Sequence, residues 1–210
     1  MSARRVVLWR HGRTASNAQN RFQGQLDVPL DDVGRAQAAD AAAHLAATAQ
    51  DVAAVVSSDL SRAVDTARAF TALTGHELVQ DSALREVDAG AWQGLLGEEI
   101  AARWPDEHAA WRRGEDVRMG GGESRTELGL RVADAVERHA AGVEGTLLVA
   151  SHGAALKAAV VRLVGLPVTA GGSLTGLRNC HWAVLGRRGD GWVLEEYDAG
   201  PAGAGVGAEG

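Results

Sequence analysis

Two histidines stand where a sequence of this kind can do chemistry. His11 follows the apolar run Val6-Val7-Leu8-Trp9, His152 follows Thr146-Leu147-Leu148-Val149-Ala150, and glycine comes next in both cases. Such runs read as strands buried on both faces. In open α/β sheets, ligands gather beyond the carboxyl ends of the strands, which is where both histidines fall. Arg10 sits beside His11, directly after a strand expected to be covered, so its guanidinium needs an anion. Arg62 lies in the first turns of the helix expected after the second strand, and Glu86 on an irregular segment after the third. The competing structural readings are a solvated helical residue for Arg62 and an ion pair with Arg85 for Glu86. Jointly, however, these residues fit phosphoryl transfer. Arginine forks match phosphate oxygens. A histidine attacks phosphorus only through an unprotonated nitrogen, so its other nitrogen should donate to a carbonyl. A second, protonated histidine adds positive charge where the group in transfer is most anionic. An alcohol leaving group needs a proton, which a carboxyl beside a phosphate dianion can supply.

These side chains require strands alternating with helices. Residues 10–33 lack helical periodicity and read as a long loop, of the kind that carries function in compact domains. A helix follows over 34–50, then a strand over 52–57. Ser58-Asp59 offers an N-cap to a helix ended by Gly75. Leu78-Val79 is a weak strand, and 84–95 is irregular. Short helices over 96–104 and 106–113 are split by Pro105. Gly120-Gly121-Gly122 breaks the chain before a helix over 123–141, and another helix spans 154–164. Trp182-Ala183-Val184-Leu185 and Trp192-Val193-Leu194 flank a glycine turn, a hairpin pattern. The expectation is a single α/β domain over 1–198 and a disordered tail over 199–210. The remaining histidines, His44, His76, His108, His139 and His181, fall within helices or near turns and read as structural.

Composition bounds the partners. The chain has 210 residues, 46% of them hydrophobic, and a formal charge of −6. That is enough apolar material for a core. The acidic balance argues against a broad nucleic-acid surface. No apolar run approaches the ~18 residues of a membrane span, and the first residues lack an export signal, so a cytoplasmic location is expected. Cys180 is the single cysteine, which removes disulfides and cysteine-based zinc sites. Charge is uneven: residues 1–28 carry five arginines against Asp27 alone, a local patch suited to a small anion.

The order of motifs resembles the histidine phosphatase (phosphoglycerate mutase-like) superfamily. The similarity rests on Leu8-Trp9-Arg10-His11-Gly12-Arg13-Thr14 with Asn17, Ser57-Ser58-Asp59-Leu60 with Arg62, and Leu84-Arg85-Glu86. It continues through Trp92-Gln93-Gly94, Gly121-Gly122-Glu123-Ser124 and Ser151-His152-Gly153, covering about residues 4–195. The resemblance implies a three-layer α/β/α fold with a mixed, mostly parallel sheet and a lid-like insertion, 87–125, over the site. It implies His11 as the nucleophile that becomes phosphohistidine, Arg10, Arg62 and His152 as the phosphate pocket, and Glu86 as general acid and then base. Asn17, Gln23, Gly24 and Gly153 are implied phosphate contacts. No metal or cofactor is implied, and a homodimer is compatible with it. Arg13 varies in the family and receives no role. Trp104, Trp111, Arg112, Arg113 and Arg118 are candidates for the substrate end of the pocket, with ordinary packing as the competing reading.

Three activities are compatible with such a site. A mutase needs a lid that excludes water, but the insertion here is short, and Ser16 stands where that branch commonly carries tryptophan. A phosphate-binding protein without turnover should lack the nucleophile or the acid, and both are present. Hydrolysis is the preferred reading. The combination of motifs is similar to phosphatases acting on glucosyl-3-phosphoglycerate, so that compound or a related small phosphate ester is the expected substrate.

Overall fold

Six strands form one sheet: β1 (Arg5–Arg10), β2 (Val52–Ser57), β3 (Leu78–Gln80), β4 (Thr146–Ser151), β5 (Trp182–Arg188) and β6 (Gly191–Ala199). Their order is β3-β2-β4-β1-β5-β6. The first four are mutually parallel, and β5 and β6 run antiparallel on one side. The sheet is therefore mixed and mostly parallel, as expected. The computed structural model describes residues 2–49 and 51–201.

Alternation along the central strands builds two apolar faces, because successive side chains point to opposite sides. Val6, Leu8, Leu147 and Val149 pack with Leu128, Val132 and Val136 of α6 (Arg125–Ala140) and with Leu156 and Val160 of α7 (Gly153–Leu163). Val7, Trp9, Leu148 and Ala150 face Ala38, Ala41, Ala42 and Leu45 of α2 (Asp32–Thr48), and Ala67 and Phe70 of α3 (Ser61–Thr74). The helices thus cover both faces of the sheet. Two short helices, α4 (Gly97–Arg103) and α5 (Pro105–Arg112), lie within the insertion, with Pro105 opening the second.

Three local expectations are corrected. The segment read as a loop contains one helical turn, α1 (Ala15–Ala18), closed by a reciprocal cap between Thr14 and Asn17. Ser58 and Asp59 do not cap α3, whose N-cap position is Leu60 without a side-chain bond. Asp27, distant in sequence, accepts from the Ser61 N–H instead (2.8 Å). The last strand does not stop near Leu194 but continues to Ala199, which pairs with Trp182. Its edge position leaves Glu195 and Glu196 exposed, which removes the apolar pattern that would have marked it. The expected tail thus loses its first residue to the sheet, and 202–210 lie outside the described residues. Among the described residues, no helix is long and apolar enough to cross a membrane.

Candidate active site

Strand register brings the two histidines together. The parallel β1–β4 ladder ends with Arg10 opposite Ser151, so His11 and His152 follow at the same level. The His11 N–H donates to the Ser151 carbonyl (3.0 Å), and the two rings meet edge to face with centroids 5.1 Å apart. Arg62 and Glu86 come from beyond the ends of β2 and β3. Four parallel strands therefore each deliver one of these groups at their carboxyl ends.

His11 is buried, and its Nδ1 lies 2.7 Å from the Gly12 carbonyl. A carbonyl only accepts, so Nδ1 carries the hydrogen and Nε2 keeps its lone pair. Burial, reinforced by the charges of Arg62 and Arg10, holds the pKa of His11 well below its usual value. Gly12 is required by packing: a Cβ there would stand 2.3 Å from the Gly34 carbonyl oxygen. The turn that carries His11 is thereby pressed directly onto the start of α2.

Arg62 is fully buried and held by backbone carbonyls, its Nη1 donating to Leu26 (2.7 Å) and its Nη2 to Gly24 (2.8 Å). Its pKa is lowered to about 10, chiefly by burial, so it remains charged at neutral pH. The Nε–H points at His152 Nδ1 (3.2 Å), and His152 Nε2 lies 2.8 Å from Ser58 Oγ. An arginine can only donate, so His152 Nδ1 must accept, and the ring here is neutral with its hydrogen on Nε2. The protonated histidine expected from the sequence concerns a ring beside a phosphoryl group, whereas the ring as folded is neutral. Burial, then the Arg62 charge, pushes the His152 pKa well below its ordinary value.

A pH dependence follows from these two rings. Both are neutral in the fold, whereas in the unfolded chain each takes up a proton near pH ~6.5. Below that pH the unfolded state binds more protons, so stability is full above about pH 6.5 and declines as the pH falls. The slope approaches about 1.4 kcal/mol per pH unit for each ring. Urea midpoints measured between pH 7.5 and 5 should fall accordingly, and a flat midpoint over that range contradicts the assignment.

Glu86 does not pair with Arg85, which forms a bidentate bridge to Asp59 at 2.7 and 2.6 Å. Instead its carboxylate caps α7. Oε1 accepts from the Ala155 N–H (2.8 Å) and the Val87 N–H (2.9 Å), and Oε2 from the Ala154 N–H (3.1 Å). Three donors thus hold both carboxyl oxygens at the first turn of the helix. The backbone beneath it is pinned by Arg131, which donates to the Ala83, Arg85 and Glu86 carbonyls and is clamped by Glu123 (2.7 Å). Sequence reasoning missed Arg131. Glu123, within the Gly121–Ser124 motif, was the available signal.

Arg10 reaches the Leu177 carbonyl through Nη1, and its guanidinium packs on Gly153, where a Cβ would stand 3.4 Å from Cζ. Gln23 Oε1 accepts from the Thr14 hydroxyl (2.9 Å), and Asn17 Oδ1 from the Thr14 N–H (3.2 Å). Asn179 was also missed. It lies in an irregular stretch before β5, with no periodicity to flag it, and its amide donates to the His11 carbonyl (3.0 Å).

Arg10, His11, Asn17, Gln23, Gly24, Arg62 and Glu86 all line one cavity of about 970 Å³. His152 and Gly153 stand behind it, against Arg62 and Arg10 respectively. Of the candidates for its far end, Trp111 and Arg112 line the cavity, so the insertion forms part of one wall. Trp104 packs against the core, and Arg113 and Arg118 pair with Glu115 and Glu127. Arg13 pairs with Asp31 (2.9 Å). Among the described residues, no group of three His, Cys, Asp or Glu side chains could hold a metal ion.

The arrangement offers a lone pair on a buried imidazole, two fixed guanidinium groups and a carboxylate, all around one opening. Comparisons with known proteins agree with that chemistry. The model of the histidine phosphatase superfamily (branch 1) matches residues 6–199. Glucosyl-3-phosphoglycerate phosphatase from Mycolicibacterium vanbaalenii is 40% identical over 220 residues, covering 95% of this chain and 96% of the relative. A structure of a mycobacterial glucosyl-3-phosphoglycerate phosphatase in complex with VO3 superposes with a TM-score of 0.88 at 36% identity, covering 94% of this chain and all of that one. A probable phosphoglycerate mutase from Enterobacter sp. is 36% identical over 201 residues, covering 90% of each chain. The match to the family model spans nearly the whole described sheet and its helices, and the chain belongs to the histidine phosphatase superfamily.

Proposed function

We propose that the protein is a phosphatase that hydrolyses glucosyl-3-phosphoglycerate, or a closely related phosphate ester, through a phosphohistidine. The observation that carries this reading is the His11 hydrogen bond to the Gly12 carbonyl, which leaves Nε2 free of its proton beside two guanidinium groups. In the proposed sequence, His11 Nε2 attacks phosphorus and the ester P–O bond breaks. The departing alkoxide takes the proton of the Glu86 carboxyl. Water then attacks phosphorus while the Glu86 carboxylate accepts one of its protons, the P–N bond breaks, and His11 and inorganic phosphate are returned. Arg10 and Arg62 carry the negative charge of the phosphoryl oxygens. A phosphate dianion beside His152 favours protonation at Nδ1, which would turn both that nitrogen and the Arg62 Nε–H towards phosphate oxygens.

Glu86 is held by backbone donors at the first turn of α7, which fixes its carboxyl at the edge of the pocket for the acid role. An ester of this charge does not cross membranes unaided, which favours a cytoplasmic place for the enzyme. Phosphate release is to be compared for glucosyl-3-phosphoglycerate, 3-phosphoglycerate and an aryl phosphate, beside mutase turnover with 2,3-bisphosphoglycerate. The highest kcat/KM is expected for the glucosylated ester. Rapid mutase turnover, or no phosphate from any member of the panel, overturns the reading.

A further inference from the structure

One wall of the cavity is a single face of α7. Ala154, Lys157, Ala158, Val161 and Arg162 line it at helical spacing, and of its two cations the one nearer the start of the helix is Lys157. It is also the one lysine beside 20 arginines in the whole sequence. Its Cε passes beside Gly171, and its side chain is half-buried. Among the described residues its ammonium has neither a hydrogen bond nor an ion pair. The charge it faces is a second cation, Arg125 at the first position of α6, which lines the same cavity. Burial and then that charge lower the Lys157 pKa.

Arg125 cannot easily swing away. Its Nη2 donates to the Trp111 carbonyl (2.8 Å), its Nη1 to the Glu115 carbonyl, and its guanidinium lies 5.6 Å over the Trp111 ring. Two cations held together in a partly desolvated wall repel one another unless an anion sits between them. The catalytic end already has its own cations in Arg10 and Arg62. The second pair stands further along the helix, since Ala154 and Lys157 are separated by roughly 4.5 Å of axial rise. Glu86 occupies the N–H groups at the first turn. A ligand spanning the wall would thus meet positive charge at both ends.

We infer that Lys157, with Arg125 beside it, binds a carboxylate of the substrate and selects phosphate esters that carry one about a helical turn from the phosphate. The inference rests on the phosphatase reading and narrows its substrate class to phosphorylated hydroxy acids. The three-carbon acid named in glucosyl-3-phosphoglycerate is of that class, with its carboxylate and phosphate at opposite ends. The sugar would then lie towards Phe22 and Trp111, the aromatic part of the lining.

The test compares 3-phosphoglycerate with glycerol 3-phosphate, in which a hydroxymethyl group replaces the carboxylate. The wild-type ratio of kcat/KM should favour the acid by at least about tenfold. Lys157→Met should lower that ratio by about ten- to thirtyfold, mainly through KM, and Lys157→Arg should restore most of it. Because the readout is a ratio within one protein, a general loss of folded enzyme cancels. A ratio unchanged by Lys157→Met, or a wild-type enzyme indifferent to the carboxylate, overturns the inference. Should neither ester release phosphate, the phosphatase reading still stands or falls on the glucosylated ester. Calorimetric affinities of the two esters for wild type and Lys157→Met then decide the carboxylate site on their own, equal affinities in the wild type overturning it.

Discussion

His11→Ala should eliminate acid-labile phosphoenzyme and lower phosphate release by at least about ten-thousand-fold. The size of the effect follows from the proposed role: losing a nucleophile leaves only positioning and charge stabilisation behind. The geometry argues that nothing nearby can replace it. His152 has Nδ1 engaged by Arg62 and Nε2 by Ser58. Cys180, which follows the site in the next strand connection, is buried, and burial pushes its thiol up to about 12. The alanine variant should keep its fold, since the bonds that hold the turn are made by backbone groups of residues 11 and 12. The check is rapid quench with labelled ester followed by acid and base lability. Retained phosphoenzyme, or turnover within tenfold of wild type, would falsify the assignment of His11.

The second large effect is expected at Glu86, and its signature is selectivity among leaving groups. Glu86→Gln should slow an alkyl phosphate by about a hundred- to a thousandfold, but an aryl phosphate with an acidic phenol by far less. An alkoxide cannot leave without a proton, whereas a phenolate of low pKa can. The substitution has a structural cost that must be separated from this. Both carboxylate oxygens accept from N–H groups, so an amide nitrogen placed at either would face a donor. That cost falls equally on all substrates, and the ratio between the two esters removes it. Equal losses on alkyl and aryl esters would count against the acid role and leave Glu86 as a cap for α7.

Much of the site is legible in the amino-acid sequence, because its residues stand at the ends of elements with strong local signals. The Val6–Trp9 and Thr146–Ala150 runs mark strands, and the glycines after His11 and His152 mark where each chain turns out of the sheet. The helix over 34–50 is visible for the same reason, its alanines at 38, 41, 42 and Leu45 forming one buried stripe. The five other histidines also behave as expected. His44 stacks on Trp182, His108 on Trp111, His139 reaches Asp81, His181 reaches the Asp198 carbonyl, and His76 bonds Thr74 and Val52.

The misread positions depend on contacts between distant segments. Ser58 and Asp59 have the chemistry of a helix cap, yet Ser58 meets His152 and Asp59 meets Arg85, while Asp27 caps the helix in their place. Local propensity ranks the candidates for such a job but does not know which partners arrive from elsewhere. Arg131 and Asn179 escape notice for a related reason. Each acts on backbone carbonyls, and a carbonyl carries no mark of residue type.

Periodicity and turn chemistry are local properties of the chain. Residue order alone therefore establishes the alternation of strands and helices, and the places at strand ends of the side chains proposed to transfer a phosphoryl group. Protonation states, and the company each group keeps, come only with the folded arrangement. The parallel register of β1 and β4 sets His11 beside His152. Its own burial, and then the charge of Arg62 held against the loop carbonyls, makes His152 neutral in the fold. The packing of α6 on α7 brings Arg125 to Lys157 along the cavity wall. Charge and desolvation depend on distance in space, and distance in space is what the fold supplies.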